Sequence, residues 1–464
     1  MDRKFGDIRE GLLMRGKRLS VITVLLVSLY TAGVTVRIAP WKHKKIIDQD
    51  ITYYYGYLPA TFIYKDWSFF FTDRPGFTGH VWSLPLPDGK RIQKMTMGVA
   101  YLYAPFFGVA HGYTKLTGGV ANGYSPNYHK SLVWAGLFYF ILGLLILRKI
   151  LVQFFPERTS AVVILLISVG TNLFTYATWD APLSHVFSFF LFSLALWVFL
   201  KWMESPARWS SFVLGITAGM IILIRPTNII FLFFLALLFL FAKGSLSNKV
   251  SFLYGLKWKW LILIIGGILV WLPQLIYWKM NTGQWLFYSY LNEPFFFDKP
   301  QVINGLFSYR KGWLIYTPLM VFSLAGIFMM RDRLREWIFP VLISTVLNIY
   351  VIFCWWCWWY GGCFGARALV EFYVVLSLPL GAFVHWIFRR PLPVRFVAAL
   401  LACFLIWLNL FQNKQYRSSL LHWDSMSKAA YWAIWGRQSW PENYPELLIP
   451  TDAEKARRGE KEYP

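Results

Sequence analysis

KMTMGVAYLYAPFFGVAHGY, Lys94 to Tyr113, is the stretch on which the topology of this chain turns. It is apolar, yet short, and it is interrupted by Gly98, Pro105 and Gly108. A straight crossing of a bilayer takes about 20 apolar residues. If this stretch crosses, every later loop changes side. The basic residues decide between the two readings, because short cytoplasmic loops carry the excess of lysine and arginine. With Lys94–Tyr113 kept out of the bilayer, one set of loops holds Arg148, Lys149 and Arg158, then Lys201 and Arg208, then Lys243, Lys249, Lys257 and Lys259, then Arg331, Arg333 and Arg335, then Arg389, Arg390 and Arg395. The opposite inter-helix loops, with the long 37–130 segment set aside because the rule counts short loops, hold only Arg225, Lys279, Lys299, Arg310, Lys311 and Arg367. The asymmetry places Lys94–Tyr113 as a helix lying at the outer membrane surface, rich in aromatics and opened by Lys94.

Outward from this stretch the chain reads as an all-α polytopic membrane protein. Its 464 residues are 57% hydrophobic, 20% aromatic and 15% charged, against about 25% charged in soluble chains. Eleven segments are candidate spans: 19–38, 131–150, 159–177, 184–200, 210–224, 227–242, 260–278, 314–330, 337–354, 370–388 and 394–411. Arg225-Pro226 separates the fifth from the sixth by a tight turn, the alternative being one long kinked helix. Arg3, Lys4, Arg9, Arg15, Lys17 and Arg18 precede the first apolar run, and no small-residue cleavage site follows, so the reading is an uncleaved first span with a cytoplasmic start. Residues 1–411 form a transmembrane module that includes a first outer segment, 37–130, with a second outer segment from Lys279 to Trp313. Residues 412–464 form an outer tail whose last run, EKARRGEKEYP, is expected to be mobile.

The net charge of +23 does not point to nucleic acid, since the cations punctuate apolar runs instead of forming a basic tract on a soluble fold. The CxxC of Cys354 and Cys357, with Cys363 nearby, lacks the βαβ context of a redox motif, and too few ligands accompany it for zinc. Free thiols or one incidental disulfide are the simpler readings. No internal repeat stands out.

The middle of the candidate spans carries no Asp, Glu, Lys or Arg. Ion-coupled transporters place such groups near the bilayer centre. Here the ionisable residues sit at outer span ends: Asp48 and Asp50 in IIDQDITYYYGYLPA, Lys94, Asp180 and His185 in WDAPLSH, Arg225, Arg310 and Lys311, and Arg367 with Glu371. If the outer ends surround one cavity, carboxylates there can take a proton from a hydroxyl. Cations can hold a phosphate and stabilise it as it leaves.

At these residues the chain resembles bacterial glycosyltransferases of the GT-C superfamily, whose relatives include protein mannosyltransferases and lipid A aminoarabinose transferases. DITYYYGYLPA is similar to a family loop of the form D-x-x-G-Y-Y-x-Y-L-P-A, with Tyr53 where the family has glycine. KMTMGVAYLYAPFF, GTNLFTYATWDAPLSHVFSFFLF, IRPTN and GCFGARALVEFY resemble further family segments in the same order, with Asp180 where Glu is expected. The resemblance implies a GT-C fold and an inverting transfer from a polyprenyl-phosphate sugar to a glycan, lipid or protein. It implies Asp50 as the catalytic base, with Asp180 orienting the acceptor or a metal. Lys94, Arg225, His185 and Arg367 would then contact the donor phosphate, and Asp48, Tyr54, Tyr55 and Tyr57 the substrate. It also implies the bacterial inner membrane, with the active site facing the periplasm. No metal ligand set is assigned, and divalent-metal dependence and oligomeric state stay open.

Each residue has a plainer reading. Lys94 can snorkel at an interface, and Asp180 can cap the following helix. Arg367 and Glu371, four apart, can form a helical ion pair. Trp355, Trp356, Trp358 and Trp359 can be an interfacial belt or a sugar platform. The rival functions are a lipid-linked-sugar flippase or other transporter, and a non-catalytic polysaccharide assembly protein.

Overall fold

The computed structural model describes residues 18–461 and 463. The expected N-terminal cations Arg3, Lys4, Arg9, Arg15 and Lys17 lie outside the described residues. The principal helices are α1 (Leu19–Ile38), α2 (Asp50–Tyr55), α3 (Gly98–Leu116), α4 (Pro126–Phe154), α5 (Glu157–Val169), α6 (Ser184–Glu204), α7 (Arg208–Ile224), α8 (Ile229–Phe241), α9 (Lys259–Thr282), α10 (Met320–Ile327), α11 (Ile338–Phe353), α12 (Tyr373–Ile387) and α13 (Leu392–Arg417). One small hairpin, β1 (Leu84–Pro85) with β2 (Arg91–Ile92), interrupts the first long loop.

Helix falls on all eleven expected spans, in pieces of unequal length. Six helices among the described residues are long and apolar enough to cross a membrane: Leu19–His43, Pro126–Phe154, Ser184–Glu204, Lys259–Thr282, Leu334–Phe353 and Leu392–Arg417. Arg208–Ile224, Pro226–Phe241 and Tyr373–Ile387 are apolar but shorter. The expected span 159–177 breaks after Val169, where a Gly170–Asn172 turn leads to a separate helix, Leu173–Ala177. The expected span 314–330 breaks into Trp313–Tyr316 and Met320–Ile327, because Pro318 between them has no N–H to continue the ladder.

The bundle is tightest where side chains are smallest. In α7, Gly215 and Gly219 form a G-x-x-x-G face against Gly266 and Gly267 of α9, and a Cβ built at Gly215 would lie 2.1 Å from the Leu263 carbonyl oxygen. Dispersion contacts between closely approaching backbones are what hold helices together where lipid offers no hydrophobic drive. Polar side chains finish helix ends: Asn409 Nδ2 of α13 donates to the Val169 carbonyl of α5 at 2.8 Å, satisfying a group that the end of α5 leaves open.

Two topological readings are settled by contacts. Trp202, near the end of α6, bonds Ser211 at the start of α7 (2.9 Å), while Phe231 of α8 stacks on Phe192 in the middle of α6 (centroids 4.0 Å apart). The chain therefore reverses at Arg225-Pro226 and α7 does not continue into α8. Helix α3 begins at Gly98, not at Lys94, and meets the same end of the bundle at both of its own ends. Gly98 abuts Ile224 at the end of α7, and Thr114 takes a hydrogen bond from Asn127 at the start of α4 (3.0 Å). It crosses nothing.

The tail departs from expectation. Helix α13 continues to Arg417, and the chain then packs back on the same end. Arg310 Nη2 donates to the Ile449 carbonyl (2.8 Å), and buried Tyr463 sits against Trp358 with centroids 5.8 Å apart. Overlapping the run expected to be mobile, Ala453–Arg457 is helical, capped by the Asp452 side chain on Lys455 N. Aromatic contacts anchor a segment whose charge alone suggested solvent.

Candidate active site

Helix α2 opens with Asp50 after a sharp reversal at Gln49, whose φ of 47° lies in the left-handed region. Arg367 lies in the 3-10 turn Arg367–Leu369 ahead of α12, and its Nη2 sits 2.9 Å from Asp50 Oδ2. Asp48 stands outside α2, on the far side of the Gln49 reversal, and its carboxylate takes a different partner. Asp48 faces His80 at 3.3 Å on a more exposed surface.

Around this pair is a cavity of about 250 Å³ lined by Asp50, Tyr54, Lys94, His185, Arg225, Glu293 and Arg367, among others. Its aromatic wall is Tyr288, Tyr290, Phe295, Trp355, Trp356 and Tyr360. Each cation is held from behind or beside. Lys94 Nζ lies 2.5 Å from Glu293 Oε1 and 5.4 Å from the Tyr290 ring centroid. Arg225 Nη1 lies 3.1 Å from Glu371 Oε1, with its guanidinium 5.3 Å from the Tyr360 ring centroid. The other Glu371 oxygen is 3.0 Å from His185 Nδ1. Glu371 is buried and does not line the cavity. It neutralises Arg225 from inside the bundle while leaving the cavity face cationic. The sequence spacing of Arg367 and Glu371 suggested a mutual pair. The structure gives each a different partner.

Burial works against ionising Asp50, but Arg367 first, then Lys94 and Arg225, outweigh it and hold the carboxyl below its ordinary range. Arg367 also loses solvation, yet Asp50 beside it keeps it firmly charged. Burial pushes the Cys357 thiol up to about 12, so this cavity-lining cysteine is a protonated, inert neighbour. All four cysteines are free.

A second cavity, about 240 Å³, adjoins the first through Asp50, Leu183 and Arg367, which line both. It holds Asp48 and Asp180. The Asp180 carboxylate pairs with Lys44 Nζ at 2.5 Å, and Lys44 lies 4.9 Å from the Trp179 ring centroid. Asp180 therefore does not cap α6, whose N-terminus has no side-chain cap.

The structure thus brings Asp50, Lys94, Arg225, His185, Arg367 and Tyr54 to one cavity, and Asp180 and Asp48 to its neighbour. Tyr55 and Tyr57 reach neither. Their hydroxyls bond the backbone carbonyls of Gly123 and of Met95 (2.7 Å for the latter), and both rings are buried. Sequence reasoning missed Glu293, Lys44 and Tyr290, and it left Glu371 outside the site. Glu293 is a lone acid in a loop with no periodicity. It reaches the cavity because backbone pairing of Phe296 with Cys354 (2.7 Å) and Trp356 with Pro294 (3.2 Å) zips its loop to the tryptophan run. That pairing also sorts the tryptophans. Trp355 and Trp356 line the cavity, while Trp358 and Trp359 are buried. Among the described residues no three His, Cys, Asp or Glu side chains converge as a metal cage, and the positive group beside Asp50 is the Arg367 guanidinium.

No protein-family model matches the chain, and no curated protein matches it. Among solved structures it is similar to the archaeal oligosaccharyltransferase AglB from Archaeoglobus fulgidus in complex with an inhibitory peptide and a dolichol-phosphate, at 14% identity and a TM-score of 0.53 over 97% of this chain. It is also similar to the apo form of the Archaeoglobus fulgidus oligosaccharyltransferase, at 16% identity and a TM-score of 0.51 over 97% of this chain. The match covers 61% and 62% of those chains, so this chain spans about three fifths of their length. The chain shares its fold with these oligosaccharyltransferases.

Proposed function

We propose that the protein is a membrane glycosyltransferase that moves a sugar from a polyprenyl-phosphate donor to an acceptor hydroxyl, with its site on the periplasmic face of a bacterial inner membrane. One observation carries this reading: Asp50, Lys94, Arg225 and Arg367, from four distant segments, line a single cavity at one end of the bundle. The fold shared with a lipid-linked-glycan transferase supports it.

Asp50 accepts the proton of the acceptor hydroxyl as its oxygen attacks the anomeric carbon. The bond from that carbon to the phosphate oxygen breaks, the electron pair leaves with the polyprenyl phosphate, and the sugar configuration inverts. Lys94, Arg225 and Arg367 stabilise the phosphate as its charge grows. The arriving phosphate competes with Asp50 for Arg367, and a carboxylate relieved of its main cation becomes more basic. The ion pair keeps Asp50 ionised in the resting state and loosens when substrate is present. The tyrosines and tryptophans of the wall suit sugar faces and prenyl chain alike. Asp180 and Asp48, in the adjoining cavity, lie on the acceptor side.

The test is transfer of a radiolabelled sugar from a polyprenyl-phosphate donor in membranes, comparing wild type with Asp50→Asn and Lys94→Ala. The transferase reading expects loss in both. A flippase or a non-catalytic assembly protein predicts unchanged turnover in Asp50→Asn.

A further inference from the structure

A third cavity is an open groove of about 790 Å³ between the ends of α1 and α13. Both helices pack against α5 and expose apolar side chains along their length, among them Leu25, Leu26 and Leu29 on α1 and Leu400, Phe404 and Trp407 on α13. Where the groove reaches the site end, its lining changes from Tyr30, Val34 and Leu410 to Arg37, His43, Lys44, Lys414 and Arg417. Among the described residues Lys44 is the one of these that pairs with a carboxylate, Asp180. Arg417 Nε is shielded from solvent and has no hydrogen-bond partner. Snorkelling would carry a cationic head out to water, and a role at a helix C-terminus explains the residue type. Neither explains cations of two helices lining one groove, with a donor nitrogen left dry. Lys44 and Trp179 also line the second cavity, which leads to Asp50.

We infer that this groove seats a membrane amphiphile through a phosphate group on its head, and that this amphiphile is the sugar acceptor. Arg37, Lys414 and Arg417 bind the phosphate, the apolar walls take the chains, and the headgroup passes Lys44 and Trp179 toward Asp50. The identification as acceptor rests on the transferase reading. The occupant is a lipid and not a soluble phosphate, because the groove opens between the ends of two helices that are long and apolar enough to cross a membrane and expose apolar side chains below it.

The test uses the full chain in detergent, with retention of phosphatidic acid compared with phosphatidylcholine by native mass spectrometry. The expected result is preferential retention of phosphatidic acid, weakened roughly fivefold per cation removed in Arg37→Gln, Lys414→Gln and Arg417→Gln. Arg37→Lys with Arg417→Lys keeps the charge and restores retention, and Lys90→Gln with Lys299→Gln leaves it unchanged. Glycerol 3-phosphate at millimolar concentration does not displace the lipid. Equal retention of the two lipids by wild type, full retention by the triple glutamine variant, or displacement by glycerol 3-phosphate overturns the lipid site. Asp50→Asn retains phosphatidic acid like wild type, so failure of the transferase reading is seen separately from failure of the groove.

Discussion

The Asp50 carboxylate and the Arg367 guanidinium meet at 2.9 Å across a sequence separation of 317 residues, at the boundary between two cavities. From this pair follow the chemistry proposed for the protein and the most direct ways to probe it.

Replacing Asp50 by Asn keeps the shape and removes the base. Turnover should fall about 10²–10⁴-fold, the usual scale of general-base catalysis, with the donor KM little changed. Steady-state kinetics in nanodiscs measures this, and a variant retaining a tenth of wild-type kcat would exclude Asp50 as the base.

The pH dependence has a definite sign. Arg367 holds the Asp50 carboxyl below its ordinary range, so it is ionised at neutral pH and its proton-accepting form is lost only as pH falls through the depressed value. In Arg367→Gln the burial that opposes ionisation loses its main counterweight. The acid limb of the kcat/KM profile should therefore move to higher pH, besides any loss of donor affinity. A limb that stays in place would mean that Asp50 does not govern it.

Glu371→Gln strips the counter-charge from Arg225 and the acceptor from His185. Leaving one member of a buried ion pair alone costs about 3–5 kcal/mol. The variant should show a clear drop in Tm in detergent, and Arg225→Leu combined with Glu371→Leu should recover part of it. Additive losses would show that the two side chains do not act as a pair.

Gly98→Val tests how α3 is seated. A Cβ there falls 2.7 to 3.0 Å from the side chain and backbone of Ile224, next to Arg225, and backbone cannot give way as a flexible side chain can. Overpacking of about 1–3 kcal/mol is expected, seen as earlier proteolysis of the 94–116 segment. Unaltered proteolysis would argue against this contact.

Lys311 is buried and donates to the carbonyls of Cys363 and Trp423, tying the loop that carries Arg367 to the C-terminal segment. Lys311→Met should lower stability by about 1–3 kcal/mol through the carbonyls left unpaired. Because the Arg367 loop loosens, kcat should fall even at temperatures where the fold is intact. A loss of Tm with unchanged kcat would confine Lys311 to stability.

Much of the architecture was legible because lipid imposes it. Long apolar runs, helix-breaking prolines and the sidedness of basic loops are local or additive properties. They anticipated a helix in the Lys94–Tyr113 stretch and the turn at Arg225-Pro226. They failed at 159–177 and 314–330, where apolar composition continues through a turn that only backbone hydrogen bonding reveals. They failed again in the tail, where Tyr463 and Asp452 organise a run that charge alone marked as solvated.

The sequence by itself determined which ionisable groups stand at one end of the bundle, since hydrocarbon excludes charge from the span centres and leaves few positions for it. Only the tertiary structure decided which of them meet. Asp50 takes Arg367, Lys94 takes Glu293, Arg225 shares Glu371 with His185, and Asp180 turns away to Lys44. These pairings join segments hundreds of residues apart. No local pattern encodes them, because helix packing and loop zippering, not spacing along the chain, set the distances over which charges interact.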